Sequence, residues 1–372
     1  MPADFVFTDE HQELRKTVRS FLERRSDEKA VRATMTTDRG YDPEVWKQLA
    51  EELGLVGLIV PEEHGGAGFG PVELLVAMEE MGRALLCAPF LGSSVFAATA
   101  LLRCADAVTQ KELLPKLADG SCIATVAWAE PNGRWDLAGI AMRAEGGGPD
   151  ATLTGEKAFV LDGTAANVLL VVARGAAGLE LLRVDANAKG VERIAIPPLD
   201  LTRKLARVRF AGTPARRISS GDQTANLEHV LAFVCAALAA EQVGGAQKCL
   251  ELATEYAKTR LQFGRPIGSY QGIKHKCAEM LVAVEFAKSA AYNALFGAAS
   301  DEPDFAESAA LAKAYCSEAY FHAAADNIQI HGGMGFTWEA PEHLYFKRAK
   351  ASELLFGDAA YHREALAKSV GL

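Results

Sequence analysis

Residues 328–341 read IQIHGGMGFTWEAP, and what flanks this stretch decides the fold. Three glycines, Gly332, Gly333 and Gly335, fall within four positions. Glycine-rich turns let backbone N–H groups approach an anion, because no Cβ stands in the way. A dinucleotide-binding fingerprint needs a strand before the glycines and a helix opening on them. Here the alanine-rich stretch 304–330, DFAESAALAKAYCSEAYFHAAADNIQI, has helical character instead. The loop therefore reads as either a ligand contact or a turn between helices.

Two more long apolar stretches precede it, LEHVLAFVCAALAAEQVGGAQKCLELATEYAKTR at 227–260 and SYQGIKHKCAEMLVAVEFAKSAAYNALFGAA at 269–299. Long helices with short links predict an antiparallel bundle. The link TRLQFGRPIGSYQ, 259–271, carries Arg260, Gln262, Phe263, Arg265 and Gln271 around Gly264 and Gly268. A cation, an aromatic and two amides beside tight turns suit a flat ring system bearing a diphosphate. The other reading is a polar inter-helix loop with Arg260 solvated.

The segment before the bundle has a different texture. SCIATVAWAE (121–130), ATLTGEKAFVL (151–161), NVLLVVARG (167–175), LELLRVDA (179–186) and KLARVRFAG (204–212) are β-rich and separated by turns. They predict a compact antiparallel sheet. The first third is helical. FTDEHQELRKTVRSFLERR places Leu14, Val18, Phe21 and Leu22 on one face, with Thr8 or Asp9 as cap. YDPEVWKQLAEELG has Asp42 as cap, Pro43 in the first turn and Gly54 as stop. PEEHGGAGFGP is a second glycine-rich loop, and VELLVAMEEMGRAL and VTQKELLPKLADG are further helices. The expected order is an N-terminal α-helical domain at 1–120, a middle antiparallel β domain at 121–221 and a C-terminal helical bundle at 222–372. This is an α+β multidomain chain.

Composition narrows the function. The 372 residues suit two or three domains, and net charge is 39 − 48 = −9, which argues against a nucleic-acid partner. The start, MPADFVFTDEHQELRK, lacks the apolar core of a signal peptide, and no apolar run is expected to span a membrane. Cys87, Cys104, Cys122, Cys235, Cys249, Cys277 and Cys316 form no CxxC pair, so the expectation is buried thiols in a reducing cytoplasm, without a metal site.

Taken together, FTDEHQELRKTVRSFLERR, GLVGLIVPEEHGGAGFGPVEL (54–74), RLQFGRPIGSYQGIKHKCAEM (260–280) and QIHGGMGFTWEAPEHLYFKRAK (329–350) resemble the acyl-CoA dehydrogenase family over essentially the whole chain. The spaced pair RxxFGxxI…Q and QxxGGxGF is the specific part. The resemblance implies a tetrameric flavoprotein built on a four-helix bundle. FAD would lie between the middle domain of one subunit and the bundle of its neighbour. The implied cofactor contacts are Arg260, Gln262, Phe263 and Gln271 from the first loop, and Gln329, Gly332 and Gly333 from the second. Phe159 would lie against the flavin ring. The implied reaction is α,β-desaturation of an acyl-CoA thioester: a carboxylate takes the α-proton and hydride passes to the flavin. Electron-transfer flavoprotein is the implied acceptor.

The sequence departs from the family pattern in three places. Where the family reads TEPGAGSD, this chain reads AEPNGRWD at 129–136: the hydroxyls are gone, and Arg134 and Trp135 are bulky in a place that wants close approach. KAFVLDG keeps Phe159 but puts Leu161 where a flavin-facing hydroxyl is usual, a hydrogen bond worth about 0.5–1.5 kcal/mol. The base is missing from both of its usual places: Phe356 in LLFGDAAYHRE, and Val234, followed by Cys235, on the first bundle helix. Asp358 is the substitute nearest the lost position, and its other reading is the N-cap of the following helix. Glu241 lies seven residues past Val234, roughly 10 Å along a helix axis, and reads as a carboxylate satisfied inside the bundle. His331 reads as packing near the glycine loop.

Three functions follow from these observations. One is an active dehydrogenase subunit with an unusual base. Another is a partner subunit that completes the FAD site of a catalytic homologue in a heterotetramer, as in some relatives in bacterial steroid and long side-chain degradation. A weaker one is a flavin oxidase or monooxygenase on the same fold.

Overall fold

The computed structural model describes residues 7–372. Its α-helices are α1 (Asp9–Arg25), α2 (Glu28–Met35), α3 (Pro43–Glu51), α4 (Pro71–Arg83), α5 (Ala98–Cys104), α6 (Ala107–Ala118), α7 (Thr224–Thr259), α8 (Gln271–Ala299), α9 (Phe305–His331), α10 (Glu342–Leu354) and α11 (Ala359–Ser369). Its strands are β1 (Ala124–Ala127), β2 (Ala144–Glu145), β3 (Asp150–Leu161), β4 (Val168–Arg174), β5 (Leu179–Asp185), β6 (Val191–Ile196), β7 (Leu205–Arg217), β8 (Leu261–Gln262) and β9 (Arg265–Pro266). The order of helices, then sheet, then helices is the expected one. The chain gathers into two compact units, one of residues up to Val31 with Pro71–Leu86 and Cys235–Leu372, the other of Arg32–Gly70 with Cys87–Val234.

Local signals set the helix ends in the first unit. Thr8 caps α1 by accepting from the His11 N–H, and the His11 ring accepts in turn from the Thr8 backbone N–H. The buried residues of α1 are Val18, Phe21 and Leu22. Helix α4 meets α7 at very close range, which glycine permits. A Cβ on Gly244 would fall 1.8 Å from the Glu79 carbonyl oxygen, and one on Gly82 would fall 1.9 Å from that of Glu241. One turn of the bundle core is therefore backbone against backbone. By length and composition α7 could cross a membrane, contrary to the expectation that no run would reach that length. Its apolar window is 83% buried within the protein, so it serves as a core helix.

In the second unit Asp42 caps α3 by accepting from the Glu44 N–H, with Pro43 in the first turn. The sheet runs β1-β4-β5-β7-β3-β2, with β6 beside β7. The expected antiparallel pattern holds with one correction: β1 lies parallel to β4, from Ala124↔Val168 to Ala127↔Val171. Parallel neighbours need a long connection, and the segment between them supplies it with β2 and β3. All four residues of β1 are buried, as befits a strand covered on both faces. One cover is a π-helical stretch, Phe90–Ala97, which the sequence reading passed over. Its Ser93 hydroxyl accepts the Ala124 N–H at 3.2 Å, and Phe96 packs 5.9 Å from Trp128.

Candidate functional site

The α7–α8 link folds as a small hairpin, β8 and β9, followed by a 3₁₀ turn at Ile267–Ser269. Arg260, Gln262, Phe263 and Gln271 all stand exposed, and Phe263 is 91% accessible with a left-handed φ of 52°. Among the described residues, the Arg260 guanidinium has no ion pair or hydrogen bond. Its neighbour Arg265 is held over the Tyr270 ring at 4.1 Å. The Gln271 amide nitrogen reaches only the His275 ring, at 3.4 Å.

The second loop begins where α9 ends. Gly332 has φ 63°, and a Cβ on Gly332 or Gly333 would meet nothing within 4 Å. Gln329, Met334, Phe336 and Trp338 around it are exposed, Phe336 at 82%. The roots of the two loops touch. Tyr256, in the last turn of α7, stacks on His331, the last residue of α9, with ring centroids 4.1 Å apart. Open glycines, an unpaired guanidinium and exposed amides make a donor set that suits an anionic diphosphate.

The other candidate residues sit in the second unit. Phe159 lies on β3 at a register shift, with φ 53° and 41% exposure. Trp135 is beside it, ring centroids 6.3 Å apart and tilted by 38°. Arg134 turns to solvent and pairs with Asp136 at 2.8 Å. Leu161 is buried, and its backbone carbonyl accepts from the Thr125 hydroxyl at 2.6 Å. Glu130 anchors this loop from within, accepting from the N–H groups of Ala141 and Met142 and from Lys157 at 2.9 Å. Burial works to raise the Glu130 carboxyl, but Lys157 and the two N–H donors outweigh it and hold it below its usual range. Burial lowers the Lys157 ammonium to about 8 despite Glu130. This buried pair sets the loop's shape and leaves its tip to Arg134 and Trp135.

At the two positions read as usual for a base, the structure places fully buried apolar side chains, Val234 at 0% and Phe356 at 1% exposure. Phe356 has φ 63°, rare for a bulky residue. Basic side chains clamp the turn around it. Lys313, on α9, donates to the carbonyls of Glu353 and Gly357 at 2.9 Å each and to the Ser317 hydroxyl at 3.1 Å. The His362 ring nitrogen Nε2 lies 3.1 Å from the Phe356 carbonyl. Burial lowers Lys313 to about 8, and burial together with the Lys313 charge lowers His362 to about 4. Sequence reasoning missed Lys313, although its place was legible: Ala309, Cys316 and Tyr320, at i−4, i+3 and i+7, share its buried face.

Asp358 is the N-cap of α11, its carboxylate accepting the Tyr361 N–H at 2.8 Å. Glu241 is buried against Arg348 at 2.9 Å. His331 faces the Asn327 carbonyl through Nδ1 at 2.9 Å and Glu342 through Nε2 at 3.2 Å.

The chain is similar to known proteins along most of its length. The family model described as acyl-CoA dehydrogenase, N-terminal domain, matches residues 8–121, and that of the C-terminal domain matches residues 227–371. Acyl-CoA dehydrogenase IpdE2 of Mycolicibacterium smegmatis is 36% identical over 94% of this chain and 95% of its own. A chain from a variant of the Tcur3481-Tcur3483 steroid ACAD superposes with a TM-score of 0.90 at 31% identity, covering 97% of this chain and 98% of that one. A chain of the ChsE4-ChsE5 complex from Mycobacterium tuberculosis gives 0.90 at 27% identity, covering 99% of each.

Proposed function

Because the chain belongs to the acyl-CoA dehydrogenase family, we propose that it works as one subunit of an oligomeric, FAD-dependent acyl-CoA dehydrogenase and completes the flavin site of a homologous, base-bearing subunit. Bound FAD would supply the hydride acceptor for α,β-desaturation of an acyl-CoA thioester. In this reading Arg260, Gln262, Phe263, Gln271, Gln329, Gly332 and Gly333 grip the diphosphate arm of the neighbour's flavin. Residues 1–120, 121–221 and 222–372 are the corresponding three domains. Two similar structures are named as two-component assemblies, one of them a steroid ACAD. That supports a heteromeric assembly and a steroid-derived acyl thioester as substrate class. Electron-transfer flavoprotein is the acceptor in this reading.

The observation that carries the proposal is the contrast between two sets of residues. The bundle-loop donors are exposed and the Arg260 guanidinium is unpaired among the described residues, whereas Val234 and Phe356 are sealed apolar side chains that cannot take a proton. Asp358 supports the same reading, because its carboxylate is committed to a helix N-terminus. A positioned base contributes about 10²–10⁴-fold in rate, so the chain alone should desaturate acyl-CoA poorly.

Co-expression with a homologue that has a glutamate at a base position tests this. Flavin and turnover are expected in the mixed assembly, and Arg260→Ala in this chain should strip flavin from it. Full flavin occupancy and robust turnover by this chain alone would overturn the proposal. If Asp358→Asn then abolished that turnover, Asp358 would be the base.

A further inference from the structure

The two glycine-bearing loops are exposed along most of their length, so their spacing is set at their roots. Three side chains meet there. Tyr256 precedes the first loop by one turn, and its carbonyl accepts the Arg260 N–H at 2.8 Å. Its ring lies almost flat on His331, at 4.1 Å and 27°. His331 immediately precedes Gly332. Its Nδ1 faces the Asn327 carbonyl at the end of α9, and its Nε2 faces the Glu342 carboxylate at the start of α10. The imidazole therefore spans the second loop from end to end while resting on the element that carries the first. Glu342 is 4% exposed, so the contact is closed to competing water. Both helix ends suit their partners, a carboxylate in the first turn of α10 and an imidazole in the last turn of α9.

We infer that Tyr256, His331 and Glu342 form a strut that fixes the distance between the Arg260 loop and the Gly332–Gly333 loop, so that both close on one diphosphate. The inference rests on the reading of these loops as flavin contacts. The three residues are positioning residues and touch no phosphate themselves. A guanidinium and a glycine cradle on separate helices grip one anion together only when their spacing is held in advance. Without the strut each loop keeps its donors, but the pair no longer acts as one site.

The test uses the FAD-loaded oligomer. FAD release is followed by flavin fluorescence after dilution, and thermal midpoints are recorded with and without flavin. Tyr256→Ala and His331→Ala should each speed FAD release about tenfold, equivalent to about 1.4 kcal/mol. The double variant should be no worse than either single one, because both remove the same strut. Tyr256→Phe keeps the flat face and should behave as the unaltered protein, a rescue that mere loss of bulk would not show. If Tyr256→Ala does not fold, Tyr256→Leu serves, with fast release expected because bulk remains without the flat ring. Normal FAD retention in both strut variants, alongside loss in Arg260→Ala, overturns the strut and leaves the loop reading standing. Normal retention in Arg260→Ala removes the loop reading and the strut with it.

Discussion

The guanidinium of Arg348, on α10, meets the carboxylate of Glu241, on α7, at 2.9 Å, and both side chains are almost completely buried. The pair is a structural tie within the bundle. Glu241→Gln removes the counter-charge and leaves a cation in the core, which should cost about 3–5 kcal/mol. Chemical denaturation would measure the loss. Turnover per folded assembly should not change. Lost turnover at unchanged stability would place Glu241 in the chemistry instead.

Lys313 gives the protein a pH signature. Its folded value, about 8, lies below the ordinary 10.5 because of burial. Between the two values the unfolded chain holds more protons than the folded one. Stability from this group therefore climbs as pH rises through that window, and is lost as pH falls through about 8. Lys157 acts in the same direction. Lys313→Met should reduce the gain in thermal midpoint between pH 8 and 10. It should also lower stability throughout by about 1–3 kcal/mol, since two buried carbonyls lose their donor. An unchanged pH slope would mean that the ammonium is better solvated than its burial indicates.

Trp135 lies beside Phe159, where the proposed reading would put the flavin ring. Replacing Arg134 with Gly and Trp135 with Ser should raise flavin content in the mixed assembly. The expected change is from about one to about two per pair of subunits, as for sites filled wherever both halves are competent. The Trp128 indole bonds the backbone carbonyl of residue 135, so the loop keeps that anchor. Absorbance at the flavin band against protein concentration is the measurement, and no increase would show that Leu161 or another residue is the true obstacle.

Two glycines should respond in opposite ways. Gly244→Ala drives a methyl into the Glu79 carbonyl and should destabilise the chain by about 1–3 kcal/mol or more. Gly333→Ala meets open space, so the flavin-free midpoint should hold while flavin release quickens. A falling midpoint in Gly333→Ala would show that the loop is packed and not open.

Much of the fold was legible because short-range chemistry set it. Thr8, Asp42 and Asp358 each cap the helix that follows them, and a cap needs only its neighbours in sequence. The strands β4 and β5 likewise fall within stretches of β-rich composition, while β3 starts one residue before its stretch and β7 runs on past its stretch to Arg217. What stayed hidden depends on distant partners. The parallel pairing of β1 with β4 joins segments separated by other strands. The π-helical turn at Phe90–Ala97 is apolar at every position except Gly92, Ser93 and Ser94, so it offers no stripe to read. The left-handed backbone at Phe159, Phe263 and Phe356 is held by surroundings and not by residue type. At the candidate site the donors were legible as a set. The strut was not, because Tyr256, His331 and Glu342 lie on three helices and His331 alone read as packing.

The first unit is assembled from both ends of the chain, and that imposes an order on biosynthesis. Helices α1 and α4 leave the ribosome early, yet α8, which packs against α4, begins only at Gln271. At roughly 5–20 residues per second, α4 waits on the order of tens of seconds for the helices it packs against. Its face carrying Leu74, Leu75, Met78 and Met81 is wholly covered in the finished protein, and α4 lacks the cover of α8 for that interval. A nascent chain stalled before Gln271 would be a chaperone client, and a truncation there would yield a sticky fragment, not a smaller working protein.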